Sequence, residues 1–426
     1  MLIRFSVENF RSIRDRQEFS FAATVLKDLP ESVVHPDGLS VGLLKTAAIY
    51  GANASGKSNV LRAFEFVRGA VRDSQRVWAP ESEIKVQPFL LDDATDRPSC
   101  FEVEFLLDGT RHQYGFKATK RSIVEEWLFA YPANRRQMWF TRDVNKSRRF
   151  EFGKNLIGEN RTIEGLTREN SLFLSAAAQN NHELLSPVYK WFVDRVRTVA
   201  GNREIVLQET LQMCDNENIK KVVGQMLAQV DLGVLEIEVK QKPIEDESVR
   251  RILSFVWDTL SESAAGKRLA PPTTLPEISF VHRGMSAPVT FAKEDESAGT
   301  IAYLALLGPA LSSLAQGDLL LVDELDASLH PLLAIELVKL FNNSQLNAKN
   351  GQLLFNTHDT NLLRSDVLRR DQIWFTEKDK AGATHLYPLT DFKPRKAENL
   401  QRGYLEGRYG AIPFVGDPLV IEAVTD

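Results

Sequence analysis

A glycine-rich stretch, GANASGKS, matches the pattern G-x-x-x-x-G-K-S/T at every position. It follows the apolar run TAAIY and opens a predicted helix, the context that gives this pattern meaning. Glycines let successive backbone N–H groups converge on phosphate oxygens, and the helix N-terminus adds a partial positive charge. Lys57 would then reach the β- and γ-phosphates of a nucleotide, and Ser58 would ligate Mg²⁺. The predicted phosphate-binding residues are Gly51, Asn53, Ala54, Ser55, Gly56, Lys57, Ser58 and Asn59.

An acidic pair ends an apolar run in the stretch DLLLVDELDASLHP. Leu319–Val322 predicts a buried strand, and Asp323 and Glu324 follow at its end. Asp323 is placed to hold Mg²⁺ through water, and Glu324 is the candidate general base that orients an attacking water. The alternative for two adjacent carboxylates is a pair of solvated loop charges.

Two further stretches carry side chains that can contact a phosphate. NTHDT places His358 after the apolar run LLFN, where an imidazole can donate a hydrogen bond to a γ-phosphate. ESAGT supplies the hydroxyl of Ser297 and, at Gly299, room for close backbone approach, at the start of a helix whose positive end can face an anion. The alternatives are a structural histidine and a plain helix N-cap, and capping does not exclude nucleotide contact.

The elements that would position these residues follow from the apolar pattern. In residues 1–120, LIRFSVENF, LKTAAIYG, IKVQPFLLD and SCFEVEFLLDGTRHQYGFKAT predict strands, with a hairpin at Asp108–Gly109. One helix, from Ser58 to about Arg72, interrupts them. Residues 160–270 are predicted to be mainly helical, and 264–277 to be a linker.

Residues 276–390 return to alternating strands and helices. The predicted order is strands EISFVHR and PVTFAK, the helix after ESAGT, strand DLLLVDE, helix PLLAIELVKLF, strand GQLLFNTH, helix TNLLRSDVL, and strands QIWFTE and THLYPL. Strands that alternate with helices favour a parallel sheet covered on both faces.

Composition narrows the function classes. The chain has 426 residues, 43% hydrophobic and 26% charged, which is typical of a soluble globular protein of two or three domains. Its net charge of −5 argues against nucleic-acid binding over the whole surface, but it does not exclude a local basic patch that binds nucleic acid. Two cysteines make neither a disulfide framework nor a zinc site. No signal peptide or membrane segment is predicted, so we expect a cytoplasmic protein.

Five motifs together carry a family resemblance: NFRSI, GANASGKSN, ESAGT, LLLVDELDASLHP and NTHD. They resemble the ABC-type ATPases of the SMC, RecF, RecN and OLD group, and most closely the small prokaryotic AAA-family ATPases of abortive-infection and anti-phage systems. The resemblance implies an α/β fold, a P-loop NTPase head of ABC type with an antiparallel β subdomain and an inserted, mainly helical lobe. It divides the chain into 1–155 and 271–395 as the two parts of the ATPase domain, 156–270 as the inserted lobe and 396–426 as a tail.

The resemblance also implies roles for single residues. ESAGT stands where such ATPases carry their signature motif, so Ser297 and Gly299 would serve the ATP bound to a second subunit. Asp326 would lie along that dimer interface, and Arg11 would lie near the nucleotide. Gln87, in KVQPF, is a candidate for the magnesium-sensing glutamine, with an ordinary strand residue as the alternative.

The function implied is an ATPase that uses ATP and Mg²⁺, closes as a dimer or higher homo-oligomer around two ATP molecules, and switches a separate effector in anti-phage defence. The residues after His358 contain no DxD motif, so the resemblance implies a nuclease or toxin encoded separately as partner. The alternatives are a DNA-binding ATPase of repair or recombination and a scaffold that binds ATP but barely turns it over. No membrane partner is expected.

Two surface segments each have two interpretations that the sequence does not decide between. RRQMWFTRDVNKSRRF, residues 135–150, mixes basic and aromatic residues, which suits either single-stranded nucleic acid or an exposed hairpin with one packed face. GYLEGRYGAIPF, residues 403–414, either packs on its own domain or docks a partner.

Overall fold

A computed structural model describes residues 1–92, 97–201, 203–229, 233–244, 247–248, 250–251 and 274–413. Its strands are β1 Leu2–Glu8, β2 Gln17–Ser20, β3 Val33–Val34, β4 Leu43–Leu44, β5 Thr46–Gly51, β6 Ser99–Leu107, β7 Thr110–Ala118, β8 Ile123–Tyr131, β9 Gln137–Asp143, β10 Phe150–Phe152, β11 Val196–Val199, β12 Val234–Pro243, β13 Thr274–His282, β14 Val289–Ala292, β15 Leu319–Val322, β16 Gln352–Asn356, β17 Ile373–Lys378 and β18 Thr384–Pro388.

The α-helices are α1 Lys57–Asp73, α2 Asn160–Leu166, α3 Phe173–Gln179, α4 Leu185–Asp194, α5 Arg203–Met213, α6 Glu217–Gln229, α7 Ala298–Gln316, α8 Pro331–Asn342 and α9 Leu400–Leu405. Short 3₁₀ turns include Lys293–Asp295 and Thr360–Leu362.

A six-stranded sheet, in the order β11-β15-β16-β5-β17-β18, forms the centre of the fold. All of its neighbouring strands are parallel except β18, which runs antiparallel to β17. The runs TAAIYG, LLLV and QLLFN are buried at every position, as expected for strands covered on both faces. Because the order places β5, β15 and β16 side by side, the loops after these three strands meet at one edge of the sheet.

The two faces of this sheet belong to different hydrophobic cores. Ala47 and Ile49 pack into one core with α1, α3, α4 and the inner face of the seven-stranded antiparallel sheet β10-β9-β8-β7-β6-β1-β2. Ala48 and Tyr50 pack into the other with α5, α7 and α8. Alternate residues of one strand therefore hold the two cores together. The mixed α/β fold predicted from the sequence is confirmed.

Helix α7 is the apolar helix that follows ESAGT. Among the described residues, α7 is the one helix that is long and apolar enough to cross a membrane. However, 67% of its most apolar window is buried inside the protein. A buried core helix passes the same test, so this is weak evidence for a membrane span. Pro309 removes one helical N–H donor, and the Ala305 carbonyl that it leaves accepts the Thr210 hydroxyl of α5 at 2.9 Å.

Several predictions about single elements are wrong. IKVQPFLLD is not a strand, although Ile84, Val86 and Pro88 are buried in alternation. Its backbone makes isolated bonds instead of a ladder, for example from the Phe89 N–H to the Asn9 side chain at 3.0 Å. The alternation therefore reflects packing of an extended segment and not pairing in a sheet.

TNLLRSDVL is not an α-helix either, because it forms the 3₁₀ turn Thr360–Leu362 followed by further turns. The Asp359 carboxylate accepts the Asn361 N–H, and Asp366 pairs with Arg364 at 2.7 Å, so local side chains compete with helical bonding.

The segment 160–270 contains strands as well as helices, since β11 joins the central sheet and β12 pairs with β13. The helix pattern VRRILSFVWDTL lies mostly outside the described residues. So does the predicted linker 264–277 up to residue 273, after which β13 begins at Thr274. The hairpin at Asp108–Gly109 is confirmed, with φ of 47° and 72° that suit a type I′ turn.

Candidate nucleotide-binding site

The phosphate loop joins β5 to α1 at the edge where the parallel strands end. Gly56, with φ of 108°, leaves no room for a Cβ because the Thr384 hydroxyl of β18 lies against it. Ser55 is buried and its Oγ lies 2.7 Å from Thr376 Oγ1 of β17. Asn59 donates to Ser12 at 2.7 Å. The loop is thus held from outside by two strands and the N-terminal turn.

Lys57 comes directly after the phosphate loop in sequence, and its side chain folds back into that loop. Its Nζ donates to the carbonyl oxygens of Gly51 at 2.9 Å and Ala52 at 3.1 Å. Burial lowers the pKa of Lys57 to about 8, against the opposing attraction of three nearby carboxylates, Asp326, Glu324 and Asp323. A partly desolvated ammonium on a loop of convergent N–H groups interacts with phosphate more strongly than one in water.

Ser58, Asp323 and Asn356 form a hydrogen-bonded cluster across three strand ends. Ser58 Oγ donates to Asp323 Oδ1 at 2.7 Å, and Asn356 Nδ2 donates to the same oxygen at 2.5 Å. A hydroxyl and a carboxylate are ligand types that Mg²⁺ prefers, and it binds one or two protein groups while keeping waters. The residues present therefore fit a magnesium ion held between Ser58 and Asp323.

Glu324 has its backbone in the left-handed region, with φ of 55°. This conformation costs a residue other than glycine about 1–2 kcal/mol, so outside contacts must maintain it. The Glu324 N–H donates to Asn356 Oδ1 at 2.5 Å, while the side chain is exposed on the side of the phosphate loop. Glu324 thus lines the same cavity as the phosphate loop.

A hydrogen bond joins the backbone of His358 to the side chain of Asp326. The His358 N–H donates to both carboxylate oxygens of Asp326, at 3.3 and 3.2 Å. Burial, and then the charge of Lys57, lower the pKa of His358. A neutral imidazole still carries one N–H that can donate to a phosphate oxygen.

An open cavity of about 530 Å³ lies between these groups. It brings together the phosphate loop, the candidate base and His358, which the sequence predicted, with Arg62 and Lys378, which it did not. The lining residues are Asn53, Ala54, Gly56, Lys57, Ser58, Asn59, Arg62, Glu324, His358 and Lys378.

Ser297 and Gly299 do not line this cavity. Ser297 is exposed and caps α7, since its Oγ accepts the Thr300 N–H at 3.0 Å. A Cβ on Gly299 would lie 3.3 Å from the carbonyl oxygen of Ser328, in the loop after Glu324. The ESAGT segment therefore lies beside that loop but presents its helix start to the surface.

Arg11 and Gln87 also lie outside the cavity lining. They contact each other through the backbone, where the Arg11 N–H donates to the Gln87 carbonyl at 2.7 Å. The Gln87 side chain is exposed. Burial, followed by repulsion from Arg62, lowers the pKa of Arg11, so Arg11 lies near a cavity residue. The roles of Arg11 and Gln87 stay predictions.

A family model described as "AAA domain, putative AbiEii toxin, Type IV TA system" matches residues 47–364. The chain belongs to this family. The matched range begins in β5 and includes the phosphate loop, ESAGT, the acidic pair and His358. The resemblance to AAA-type P-loop ATPases that the motifs predicted is therefore confirmed.

A solved structure similar to this family member is titled "Crystal structure of the SmcHead bound to the C-winged helix domain of ScpA". The two chains are 12% identical with a TM-score of 0.40, and the match covers 91% of this chain and 96% of the other. No curated protein matches the sequence.

Several site residues of this AAA-family chain were missed by sequence reasoning. Asn356 stands in the motif that supplied His358, yet its role depends on contacts with Ser58 and Asp323 that no spacing reveals. Arg62 lies one turn after Ser58 on α1, so the face of that helix was an available signal. Lys378 and Thr384 belong to strands whose place beside the loop only the fold decides.

The basic and aromatic segment 135–150 forms the exposed hairpin that was one of its two interpretations, with β9 and β10 paired antiparallel. Phe140 and Phe150 are buried against Phe173, with ring centroids 4.8 and 5.4 Å away, so their faces do not offer a stacking surface. The tail packs on its own domain as far as it is described, because Tyr404, Tyr409 and Ala411 are buried in the second core.

Proposed function

We propose that this AAA-family chain binds ATP with Mg²⁺ and hydrolyses it, and that it does so as a dimer. The observation that carries the proposal is the edge of the central sheet, where Lys57, Ser58 and Glu324 line one cavity and Ser58 bonds to the Asp323–Asn356 pair behind it. Each group has the chemistry that phosphoryl transfer to water requires, and all lie at or just beyond the ends of parallel strands.

In this proposal each residue has one task. Ser58, and Asp323 through water, would hold Mg²⁺, which would supply charge that stabilises the phosphates in the transition state. Lys57 binds the β- and γ-phosphates, and Glu324 orients the attacking water and accepts its proton. His358 donates to the γ-phosphate and so distinguishes the nucleotide before and after hydrolysis.

The second half of the ATP site is proposed to come from another copy of the chain. Ser297 lies at an exposed helix start outside its own cavity, where the backbone N–H groups and the helix dipole can bind an anion. Two copies related by a two-fold axis would each place this helix start over the partner's nucleotide. Asp326, next to the acidic pair, would lie along the same interface.

We further infer that nucleotide state controls a separate effector, a nuclease or toxin, in anti-phage defence in the cytoplasm. The family description, which names a putative toxin of a toxin–antitoxin system, supports this context. ATP must favour the closed dimer over the open state for this switch to operate. The division into 1–155, 156–270, 271–395 and 396–426 remains part of this proposal.

The variant Glu324→Gln tests the proposal. It removes the base but keeps the size and the cavity, so ATP affinity should be retained while turnover falls about 10²–10⁴-fold. Mg-ATP should then accumulate the dimer, measured by sedimentation beside nucleotide titration. Glu294→Gln, an exposed glutamate in the turn before ESAGT, is the matched control and should behave as the wild type. A Glu324→Gln chain that hydrolyses normally, or stays monomeric with Mg-ATP, would contradict the proposal.

A further inference from the structure

Arg203, the first residue of α5, reaches the loop that carries the acidic pair. Its Nη2 donates to the Glu324 carbonyl oxygen at 2.7 Å, and its Nη1 donates to the Ala327 carbonyl oxygen at 2.5 Å. One planar guanidinium thus binds two carbonyls three residues apart, a geometry that its rigid fork of donors fits. The loop between the two carbonyls contains Asp326.

This contact completes the support of the Glu324 backbone. The N–H of Glu324 is held by the Asn356 side chain and its carbonyl by Arg203, so both peptide groups beside the strained φ of 55° have fixed partners. Without Arg203 the following peptide keeps only two backbone bonds, from the Leu325 N–H to the Asn356 carbonyl and from the Ala327 N–H to the Glu324 carbonyl, each 3.0 Å, so Glu324 is held less firmly and can relax toward an ordinary backbone conformation. The carboxylate would then leave its place beside the cavity.

Arg203 stays charged around neutral pH, so its contact with the acidic loop is maintained there. Burial lowers the pKa of Arg203, while the carboxylates of Asp326 and Glu324 act in the opposite direction. A guanidinium remains charged far above neutral pH, so the cation stays paired with this acidic loop.

The same helix also holds the segment before ESAGT. Glu204, next to Arg203, pairs with Lys293 at 2.6 Å, and Lys293 begins the 3₁₀ turn that leads to Ser297. Farther along α5, Thr210 bonds to the Ala305 carbonyl that Pro309 leaves without a helical donor. Helix α5 is therefore fixed to the acidic loop at one end and to α7 along its length.

We propose that Arg203 is a positioning residue, which holds the candidate base Glu324 in its working conformation from α5 and so links the acidic loop to the signature helix. This inference rests on the proposed hydrolysis of ATP. Arg203 is not among the residues that line the cavity, and it acts through the Glu324 backbone.

The test compares Arg203→Met with Arg203→Lys in the full chain. Arg203→Met should lower kcat about tenfold or more, because a base displaced by an ångström loses much of its effect, while the affinity for ATP stays within about twofold. Arg203→Lys should recover part of the loss, since it restores the charge and the donors but not the rigid planar fork. Arg195→Met is the matched control, because Arg195 also donates to a backbone carbonyl, Gln316 at 2.6 Å, but lies at the opposite end of the sheet.

A double variant separates positioning from general damage. In a Glu324→Gln background, Arg203→Met should have little further effect on residual turnover, because the base that it positions is gone. Equal losses in both backgrounds, or an unchanged kcat in the single variant, would overturn the inference. Hydrogen exchange gives a second measurement: the Ala327 N–H, bonded to Glu324 O at 3.0 Å, should exchange faster in Arg203→Met. Unchanged exchange there would also overturn it.

These outcomes are distinct from failure of the proposed function. If the wild type shows no ATP turnover, or Glu324→Gln hydrolyses as fast as the wild type, the proposed function itself fails. If Glu324→Gln abolishes turnover while Arg203→Met leaves it intact, only the role of Arg203 fails.

Discussion

The phosphate-loop edge and the ESAGT segment are two halves of the proposed ATP site, and they are built differently. At the phosphate-loop edge, side chains from distant parts of the sequence converge, such as Ser58 and Asp323, which are 265 positions apart. At ESAGT, the Ser297 hydroxyl bonds to the nearby Thr300, and the only distant support is His282, 2.6 Å from Glu296 among the described contacts. The first half is held by contacts to buried side chains, and the second is exposed at its helix start.

This difference indicates how the two halves can be used. A cluster that is fixed in advance does not have to be reorganised when a phosphate arrives, and this is the source of electrostatic catalysis. An exposed helix start can instead meet a surface that approaches from outside. The contrast supports the proposal that ESAGT contacts the nucleotide from a second copy of the chain.

The largest effect is expected from Ser297→Arg, which tests whether the exposed half acts on a second copy of the chain. A large cation at the exposed helix start should prevent close approach of a second chain but leave the phosphate loop intact. Turnover should fall about a hundredfold while ATP affinity, measured by titration, is unchanged. Ser286→Arg, which adds the same charge at another exposed serine, should have no such effect. Weakened ATP binding in Ser297→Arg would show that ESAGT serves its own subunit's site.

A smaller effect, confined to the buried half, is expected from pH. Phosphate binding needs the charged form of Lys57, whose pKa is about 8, so the ammonium is present below this pH and is lost above it. The affinity for ATP should therefore be constant near pH 7 and should fall about tenfold per pH unit above pH 8. Lys57→Arg should flatten this dependence because a guanidinium stays charged. Constant affinity from pH 7 to about 9.5 in the wild type would contradict the role of Lys57.

The smallest effect is expected from His282→Leu, which removes the distant support of the exposed half. Glu296 loses a partner, so the free energy of unfolding, measured with denaturant, should fall by about 1 kcal/mol. The affinity for ATP should not change, because the phosphate loop lies elsewhere. Arg283→Leu, an exposed neighbour, is the control. A loss of ATP affinity in His282→Leu would show that the two halves are coupled within one chain.

The sequence predicted the central sheet well and the irregular segments poorly. The apolar runs of β5, β15 and β16 are continuous because both faces of the sheet are covered, and such runs are visible in any reading of the chain. The segment 84–92 was wrongly predicted as a strand because any extended segment that packs on a core alternates apolar and polar residues. Whether its backbone joins a ladder depends on neighbours far along the chain.

The sequence by itself determined the chemistry that is contiguous: the phosphate loop with Lys57 and Ser58, and the acidic pair at the end of β15. These motifs need only a strand, a loop and a helix start, and local residue types specify all three. The tertiary structure decided the rest, including the Asn356 bridge, the support from Thr384 and the Arg203 contact. These depend on which strands lie side by side, and that order is set by long-range packing that no single stretch of residues encodes.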